Sequence, residues 1–221
     1  VYEPQMSLQL MLRREMERDL AMALARNEFA VHYQPLMELE SGLEVGFEAL
    51  LRWNHPDKGM ISPASFIPIA ESSGLIVPIG NWVLEQSCKL AATWRKNLSV
   101  AVNISPAQFK SGQLVDVVCA ALAKYGLAPH RLELEITESL ILEKSYETLE
   151  VLRSLKELGV VIALDDFGTG YSGLGYLNSF PIDKIKIDRS FIKDLGSKPR
   201  SKELVRAAVD EAGYELAPPE D

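Results

Sequence analysis

Residues 160–170, with the sequence VVIALDDFGTG, constrain the fold of this chain more than any other stretch. Five apolar residues lead directly into Asp165 and Asp166, and a glycine-rich turn follows. An apolar run without alternation is typical of a strand buried on both faces, as in a parallel sheet. Two adjacent carboxylates at the end of such a strand repel each other unless cations lie between them. The other interpretation is a capped turn, in which each aspartate accepts hydrogen bonds from loop amides.

The composition is that of an ordinary globular protein. The chain has 221 residues, of which 47% are hydrophobic and 24% are charged, and this is enough for one sizeable core. Its formal net charge of -8 argues against a duplex nucleic acid as partner. A small anionic ligand remains compatible with that charge if metal ions mediate its binding. The sequence shows no signal peptide and no apolar run of transmembrane length.

The cysteines and histidines show no metal-binding spacing. Cys88 and Cys119 lie far apart in apolar contexts, which predicts two buried thiols and a reducing compartment. We interpret His32, His55 and His130 as structural or surface residues, so zinc is not expected.

The N-terminal part is predicted to contain a helix followed by a hairpin. Apolar residues recurring every four positions predict a helix over residues 7–27, either a linker from an upstream domain or a first helix packed on the core. Apolar strands at 29–36 and 45–53 flank a glycine-containing turn and are expected to pair. Glu48 lies inside the second strand, and a buried carboxylate needs a partner, a proton or a metal. Arg52 on the same strand is a candidate clamp for an anion.

A proline-rich loop is predicted at 55–68, and two helices follow it. They cover residues 63–71 and 79–96. Glu71, near the end of the first helix, is either a surface residue or a ligand contact. The buried side of the second helix is predicted to carry Trp82, Val83, Cys88, Leu90 and Trp94.

From residue 98 onward, predicted strands alternate with predicted helices. Ser105 is expected to cap the helix after the first of these strands, and Gly159 to end a later one. The alternation at 131–138 predicts a half-exposed strand with a solvated acidic face. The alternative places Glu135 at the mouth of a barrel and makes Thr137 a helix cap. The strands are predicted at 98–105, 131–138, 160–164 and 181–188, and the helices at 113–125, 138–158 and 174–179.

One polar pattern recurs at the ends of these strands. In a (β/α)8 barrel the carboxyl ends of the strands converge on one face, where the chemistry of that fold takes place. The set expected there is rich in oxygen donors, which suits two Mg²⁺ or Mn²⁺ ions. Its one lysine would accept a proton from water or stabilise charge on a phosphate. The set consists of Glu48, Asn103, Glu135, Asp165, Asp166 and Lys186.

Seven short motifs are similar to those of EAL domains. In chain order they are YQP at 33–35, EALLRW at 48–53, FIPIAE at 66–71, VNIS at 102–105, EITE at 135–138, DDFGTG at 165–170 and KID at 186–188. The resemblance covers about residues 29–209 with the motifs in the right order. On these motifs the chain is identified as a member of the EAL family.

The resemblance implies a modified TIM barrel that hydrolyses cyclic di-GMP to linear pGpG with Mg²⁺ or Mn²⁺. It implies that Lys186, Glu48 and Asp166 are catalytic and that Glu138 steadies the loop after Asp166. The implied metal ligands are Glu48, Asn103, Glu135, Asp165 and Asp166, and the implied substrate contacts are Arg52, Gln34, Glu71 and Asp188.

The resemblance also implies the setting of the domain. Members of this family are bacterial, the barrel faces the cytoplasm, and a GGDEF or sensor domain often precedes it. We therefore expect a linker helix at 1–27, an EAL-type barrel at 28–200, and a last helix with a polar tail at 201–221.

The sequence departs from the family pattern after residue 209. The family continues with two more strands, which carry a Glu-Gly-Val-Glu and a Gln-Gly motif, whereas residues 210–221 here are polar and proline-rich. We therefore expect a barrel that is incomplete at its C-terminus and is closed by a partner chain, such as the second copy of a homodimer.

Three functional hypotheses follow. The first is a metal-dependent cyclic di-GMP phosphodiesterase. The second is a degenerate EAL module that binds cyclic di-GMP or a protein partner without cleavage. The third, an enolase-type barrel, is disfavoured because the lysines of such sites precede the carboxylates, whereas Lys184 and Lys186 come last here.

Overall fold

The computed structural model describes residues 4–94, 97–142, 145–167 and 179–187, which form two compact units with a boundary between Leu132 and Glu133. The first unit contains α1 (Pro4–Ala23), β1 (Phe29–Met37), β2 (Glu44–His55), β3 (Gly59–Ile61), α2 (Pro63–Ser73), α3 (Ile76–Ala91), β4 (Ser99–Asn103), α4 (Pro106–Lys110), α5 (Leu114–Tyr125) and a 3₁₀ turn at Pro129–Arg131. Strand β5 (Leu132–Thr137) begins at the boundary, and the second unit continues with α6 (Glu138–Leu142), α7 (Tyr146–Leu158), β6 (Val161–Phe167) and β7 (Lys184–Ile187).

The sheet of the first unit is built on β2. Strands β1 and β2 pair in antiparallel fashion, which confirms the predicted hairpin, and β4 pairs with β2 in parallel. The three-residue strand β3, which also pairs with β2, was not predicted. Gly46 of β2 lies opposite Ser99 of β4, where a Cβ atom on residue 46 would lie 2.6 Å from the Ser99 carbonyl oxygen. Only glycine allows the two strands to approach this closely.

Helix α1 packs its C-terminal half into the core of this unit. Leu20 is 1% exposed and lies in one apolar cluster with Phe29, Trp53 and Phe66. The helix ends at Ala23 rather than at the predicted residue 27. The chain turns there because Asn27 adopts a left-handed φ of 56° and the Glu28 amide donates to the Ala23 carbonyl. Asparagine tolerates this conformation better than most residues.

Polar contacts hold the same helix against the turn after β2. Lys58 Nζ lies 2.8 Å from Glu15 Oε1 and 3.2 Å from Asp19 Oδ2. His55 Nε2 lies 3.3 Å from Asp19 Oδ2, while His55 Nδ1 accepts hydrogen bonds from the backbone amides of Asp57 and Lys58. Burial raises the pKa of Asp19, but the hydrogen bonds from Lys58 and His55 outweigh it and keep this pKa below its usual value. His55 is therefore a structural residue, as predicted.

The structure corrects the predicted helix at 79–96. Helix α3 begins at Ile76 and ends at Ala91. Val83 and Cys88 are buried as predicted, whereas Leu90 is 39% exposed. Leu90 follows Cys88 by two residues, which places it on nearly the opposite side of the helix.

Within the described parts of the chain, no single helix is long and apolar enough to span a membrane, and only the bent pair of α2 and α3 reaches that length and composition together.

The two cysteines lie in different environments. Cys88 is buried, and burial together with the nearby Glu85 raises the pKa of its thiol to about 12. Cys119 on α5 is exposed, so the prediction of two buried thiols was wrong for this residue. Among its apolar neighbours in the sequence, Val118, Ala121 and Leu122 are buried on the other side of this amphipathic helix.

This difference predicts that a thiol reagent modifies only one cysteine of the folded chain. At pH 8, Ellman's reagent should react with Cys119 within minutes, because the thiolate is the nucleophile and this side chain is accessible. Cys88 should react only after unfolding in guanidinium chloride, which would raise the count from one thiol to two. Two rapidly reacting thiols in the native chain would contradict the structure, and Cys119→Ser should abolish the native reaction.

The second unit is a parallel sheet covered by helices. Strand β6 pairs with β5 on one side and with β7 on the other. The predicted helix at 138–158 is in fact two helices, because Ser145 begins the second one by accepting a hydrogen bond from the Thr148 amide. Gly159, with a φ of 90°, ends α7 as predicted. The helix predicted at 174–179 lies almost entirely outside the described residues, as do Asp188 and the predicted last helix and tail at 201–221.

Strand β5 contradicts the prediction of a solvated acidic face. Glu133 and Glu135 are 3% and 1% exposed, so both acidic side chains are buried. The hydroxyl of Thr137, which was predicted to cap the next helix, lies 2.9 Å from the hydroxyl of Ser139. Two buried carboxylates on one strand need compensating partners.

Candidate functional site

The two adjacent aspartates interrupt the regular geometry of β6. Asp166 is exposed and has a φ of 53°, in the left-handed region. The pairing of β6 with β7 shifts register between Leu164 and Phe167, which is the segment that contains both aspartates. An irregularity of this kind re-aims side chains at the end of a strand. The strict alternation that would send Asp165 and Asp166 to opposite faces therefore does not apply here.

The beginning of β7 is fixed to β6 by Asp183. Its backbone amide donates to the Ile162 carbonyl over 2.9 Å, and its Oδ2 accepts from the Ile162 amide over 2.8 Å. Lys156 Nζ lies 2.7 Å from the same carboxylate and neutralises it. These contacts set the register of β7 immediately before Lys184, and this register determines where Lys186 lies.

Lys186 joins two of the predicted site residues. Its ammonium lies 2.6 Å from Glu135 Oε1 and 3.4 Å from Asp165 Oδ1. The Glu135 side chain is fully buried, whereas those of Lys186 and Asp165 are partly exposed. A buried carboxylate is costly unless it is paired, and Lys186 supplies the charge. All three residues are predicted from the sequence for one site, and within the second unit they do lie together.

A second polar pair lies in the first unit. Asn103 is the last residue of β4, and its Nδ2 donates to Glu48 Oε1 over 3.0 Å. Strands β2 and β4 are parallel, with Glu48 paired to Ala101, so Asn103 lies two residues further along its strand. Gln34 of β1 is directly opposite Glu48. Three predicted site residues therefore lie side by side on adjacent strands.

The helix after Asn103 is held by a residue that sequence reasoning missed. Gln108 completes a capping box with Ser105 at the start of α4, and it is 1% exposed. Its Nε2 also donates to Asn81 Oδ1 of α3 over 3.2 Å. A Cβ atom on Gly80 would lie 2.6 Å from Gln108 Cδ, so the glycine makes room for this side chain. The S-x-x-Q spacing at 105–108 was the available signal.

Three further predicted site residues lie on β2, α2 and α6. Arg52 Nη1 donates to the Leu51 carbonyl over 2.9 Å, which orients its guanidinium. Glu71 is exposed on the last turn of α2. Glu138 is buried at the first position of α6, directly after β5. Asp188 lies outside the described residues.

The oxygen donors of each unit are of the kind that suits a hard divalent cation. They are carboxylates and an amide, the ligands that Mg²⁺ and Mn²⁺ prefer. Among the residues that the structure describes, however, no group of three or more His, Cys, Asp or Glu side chains is arranged so that it could hold a metal ion. In the second unit an ammonium, that of Lys186, lies next to two of these carboxylates.

The order of these strand-end residues matches a known family. The EAL domain profile matches residues 17–214 of the chain. This chain belongs to the EAL domain family. The match begins inside α1 and includes every residue of the candidate site. The family prediction made from the seven sequence motifs is thereby confirmed.

Relatives and solved EAL structures support the same assignment. An uncharacterized signaling protein of Caulobacter vibrioides is 51% identical over 197 residues, which are 89% of this chain and 24% of that protein. The bifunctional diguanylate cyclase/cyclic di-GMP phosphodiesterase MucR of Pseudomonas aeruginosa is 41% identical over 212 residues, which are 94% of this chain and 31% of MucR. The chain thus spans about a quarter to a third of the length of these curated relatives.

A solved structure confirms the fold class. The PaMucR phosphodiesterase in complex with c-di-GMP is similar to this chain with a TM-score of 0.85 and 42% sequence identity. The similarity covers 90% of this chain and 82% of that one. The prediction of an α/β fold of the TIM-barrel type, as found in EAL domains, is therefore confirmed.

Proposed function

We propose that this EAL chain hydrolyses cyclic di-GMP to linear pGpG with Mg²⁺ or Mn²⁺. The observation that carries the proposal is the contact of Lys186 with Glu135 and Asp165. It brings together three predicted site residues that come from separate strands of the second unit. The names of MucR and of the c-di-GMP complex of PaMucR support the choice of substrate. In this proposal a GGDEF or sensor domain adjoins the chain in a bacterial cytoplasmic protein.

We propose oxygen ligands for divalent metal in each unit, taken separately. Glu48 and Asn103 would contribute from the first unit, and Glu135, Asp165 and Asp166 from the second. Because Asn103 Nδ2 donates to Glu48, the amide oxygen of Asn103 is the atom that would contact a cation. Bound divalent ions would supply positive charge for the phosphate and make water a better nucleophile near neutral pH.

The other side chains bind and orient the reactants. An ammonium held between two carboxylates is a hydrogen-bond donor, so we assign Lys186 the role of orienting the attacking water. Arg52, with one guanidinium nitrogen fixed on Leu51, would hold a phosphate oxygen through its other donors. Gln34, Glu71 and Asp188 would contact the nucleotide, and Glu138 would steady the loop after Asp166.

A degenerate EAL module that binds cyclic di-GMP without cleavage is the second candidate. It is favoured by the position of the Lys186 ammonium beside Glu135 and Asp165, and by the finding that the described residues hold no group of three metal-binding side chains. In such a module the lysine would neutralise the carboxylates permanently, and no cation would be needed.

Incubation of the purified chain with cyclic di-GMP decides between the two. With Mn²⁺ or Mg²⁺ we expect pGpG to accumulate, as separated by ion-exchange chromatography, and with EDTA we expect none. Calorimetry in Ca²⁺ measures nucleotide binding separately. Tight binding with no pGpG after several hours in Mn²⁺ would establish the degenerate module and rule out the phosphodiesterase.

A further inference from the structure

Two glutamate–lysine pairs span β6 in the second unit. Lys186 Nζ lies 2.6 Å from Glu135 Oε1, and Lys184 Nζ lies 2.6 Å from Glu133 Oε2. Both glutamates are buried on β5, and both lysines are on β7. The first pair belongs to the candidate site, whereas the second has no part in the proposed reaction.

The strand register shows that Lys184 has two glutamates within reach. Glu135 is paired with Ala163 of β6, and Ala163 is paired with Lys184, so these three residues lie in one row. Strands two apart are separated by roughly 9–10 Å, which extended lysine and glutamate side chains can bridge. The alanine between them has only a methyl group. Nevertheless Lys184 pairs with Glu133, which lies two residues earlier on β5.

We propose that Glu133 is a positioning residue that holds Lys184 away from Glu135. The Glu135 carboxylate thereby stays available to Lys186 and to a divalent cation. The role of that cation is part of the proposed function, and the inference rests on the proposed function. A stabilising role alone does not account for the pair, because the Lys184 side chain is 55% exposed and ion pairs open to solvent contribute at most about 1 kcal/mol. The proposed role is electrostatic: without Glu133, a second ammonium would compete for Glu135.

Glu133→Gln tests the inference with little change in shape. The Lys184 ammonium would lose its partner and move towards Glu135, in the same row. We expect the affinity for Mn²⁺, measured by calorimetry with Mn²⁺ alone, to fall about tenfold, as an added unit charge at this distance predicts. The kcat for cyclic di-GMP should fall by a similar factor while KM changes little, since Glu133 is not one of the proposed nucleotide contacts.

A second substitution separates the electrostatic role from a structural one. In Glu133→Gln/Lys184→Met the competing ammonium is gone, so we expect Mn²⁺ affinity and kcat to return to within about threefold of the wild type. The matched control is Glu150→Gln, which removes an exposed glutamate paired with Arg153 on α7 and should change neither quantity. If Glu133→Gln does not fold, Glu133→Asp, whose carboxylate is one methylene shorter, should show a smaller loss in the same direction.

Several outcomes would overturn the inference. One is a Mn²⁺ affinity equal to that of the wild type in Glu133→Gln, or in Glu133→Asp if only that variant folds. Another is a double variant whose Mn²⁺ affinity and kcat are no higher than those of Glu133→Gln. A wild-type chain that does not bind Mn²⁺ would also overturn it. A wild-type chain that binds Mn²⁺ but makes no pGpG would instead refute the proposed function, and the calorimetric comparison would still decide the role of Glu133.

Discussion

Glu48→Gln is expected to abolish cyclic di-GMP hydrolysis by this chain while its fold stays intact. Glutamine has nearly the size of glutamate, and its carbonyl oxygen can still accept the hydrogen bond that Asn103 Nδ2 donates over 3.0 Å. It lacks the negative charge with which we propose that Glu48 holds a divalent cation. Removing one electrostatic contact that stabilises a transition state costs roughly 10²–10³-fold in kcat. The rate of pGpG formation in Mn²⁺ should therefore fall by about 10³-fold.

The control for this variant lies on the same strand. Glu44→Gln makes the same chemical change at the exposed start of β2, opposite Met37 and outside the candidate site. It should keep the wild-type rate. Circular dichroism should show melting temperatures within a few degrees of the wild type for both variants. If Glu48→Gln kept more than a tenth of the wild-type rate, Glu48 would not be the metal ligand that we propose.

Leu20→Ala is expected to lower the free energy of unfolding by about 3 kcal/mol, as for other buried leucines. Leu20 is 1% exposed and packs in the cluster that contains Trp53 and Phe66. Removing three buried carbon atoms loses their transfer free energy and leaves a cavity among rigid aromatic rings. Urea titration followed by tryptophan fluorescence measures the effect directly, because Trp53 lies in the same cluster.

Leu12→Ala on the same helix is the matched control. Leu12 is 55% exposed, so its truncation should change the free energy of unfolding by less than about 0.5 kcal/mol. The pair of variants also tests the role of α1. Equal and small effects would mean that the helix is only a connector to another domain. A large effect confined to Leu20→Ala would show that the C-terminal half of α1 unfolds together with the first unit.

Much of the fold is predictable because its signals are local. An unbroken apolar run identifies β6, and the hairpin follows from two largely apolar segments on either side of a glycine-containing turn. Ser105 and Gly159 act on the residues next to them, so their capping roles are visible in the sequence. The break between α6 and α7 was missed, although Ser145 is a typical N-cap, because the apolar pattern continues across it.

The burial of Glu133 and Glu135 could not be predicted from their own strand. Alternation of apolar and acidic residues looks the same whether the acidic face meets water or meets lysines. Here the lysines come from β7, about 50 residues later in the sequence, and reach the glutamates across β6. The exposure of Cys119 was missed for a related reason, since the outward side of a helix depends on what packs against it.

Two hydrogen bonds join Asp183 to Ile162 and fix which face each side chain of β7 occupies. That choice of face therefore does not depend on the length of the connection between β6 and β7. Successive side chains of β7 point to opposite faces, so a slip of one residue would remove both lysines from the face that they share. Asp183 fixes the register immediately before the first residue of β7. A change in the length of the connection before Asp183 should therefore leave the facing of Lys184 and Lys186 unchanged, as long as residue 183 stays acidic.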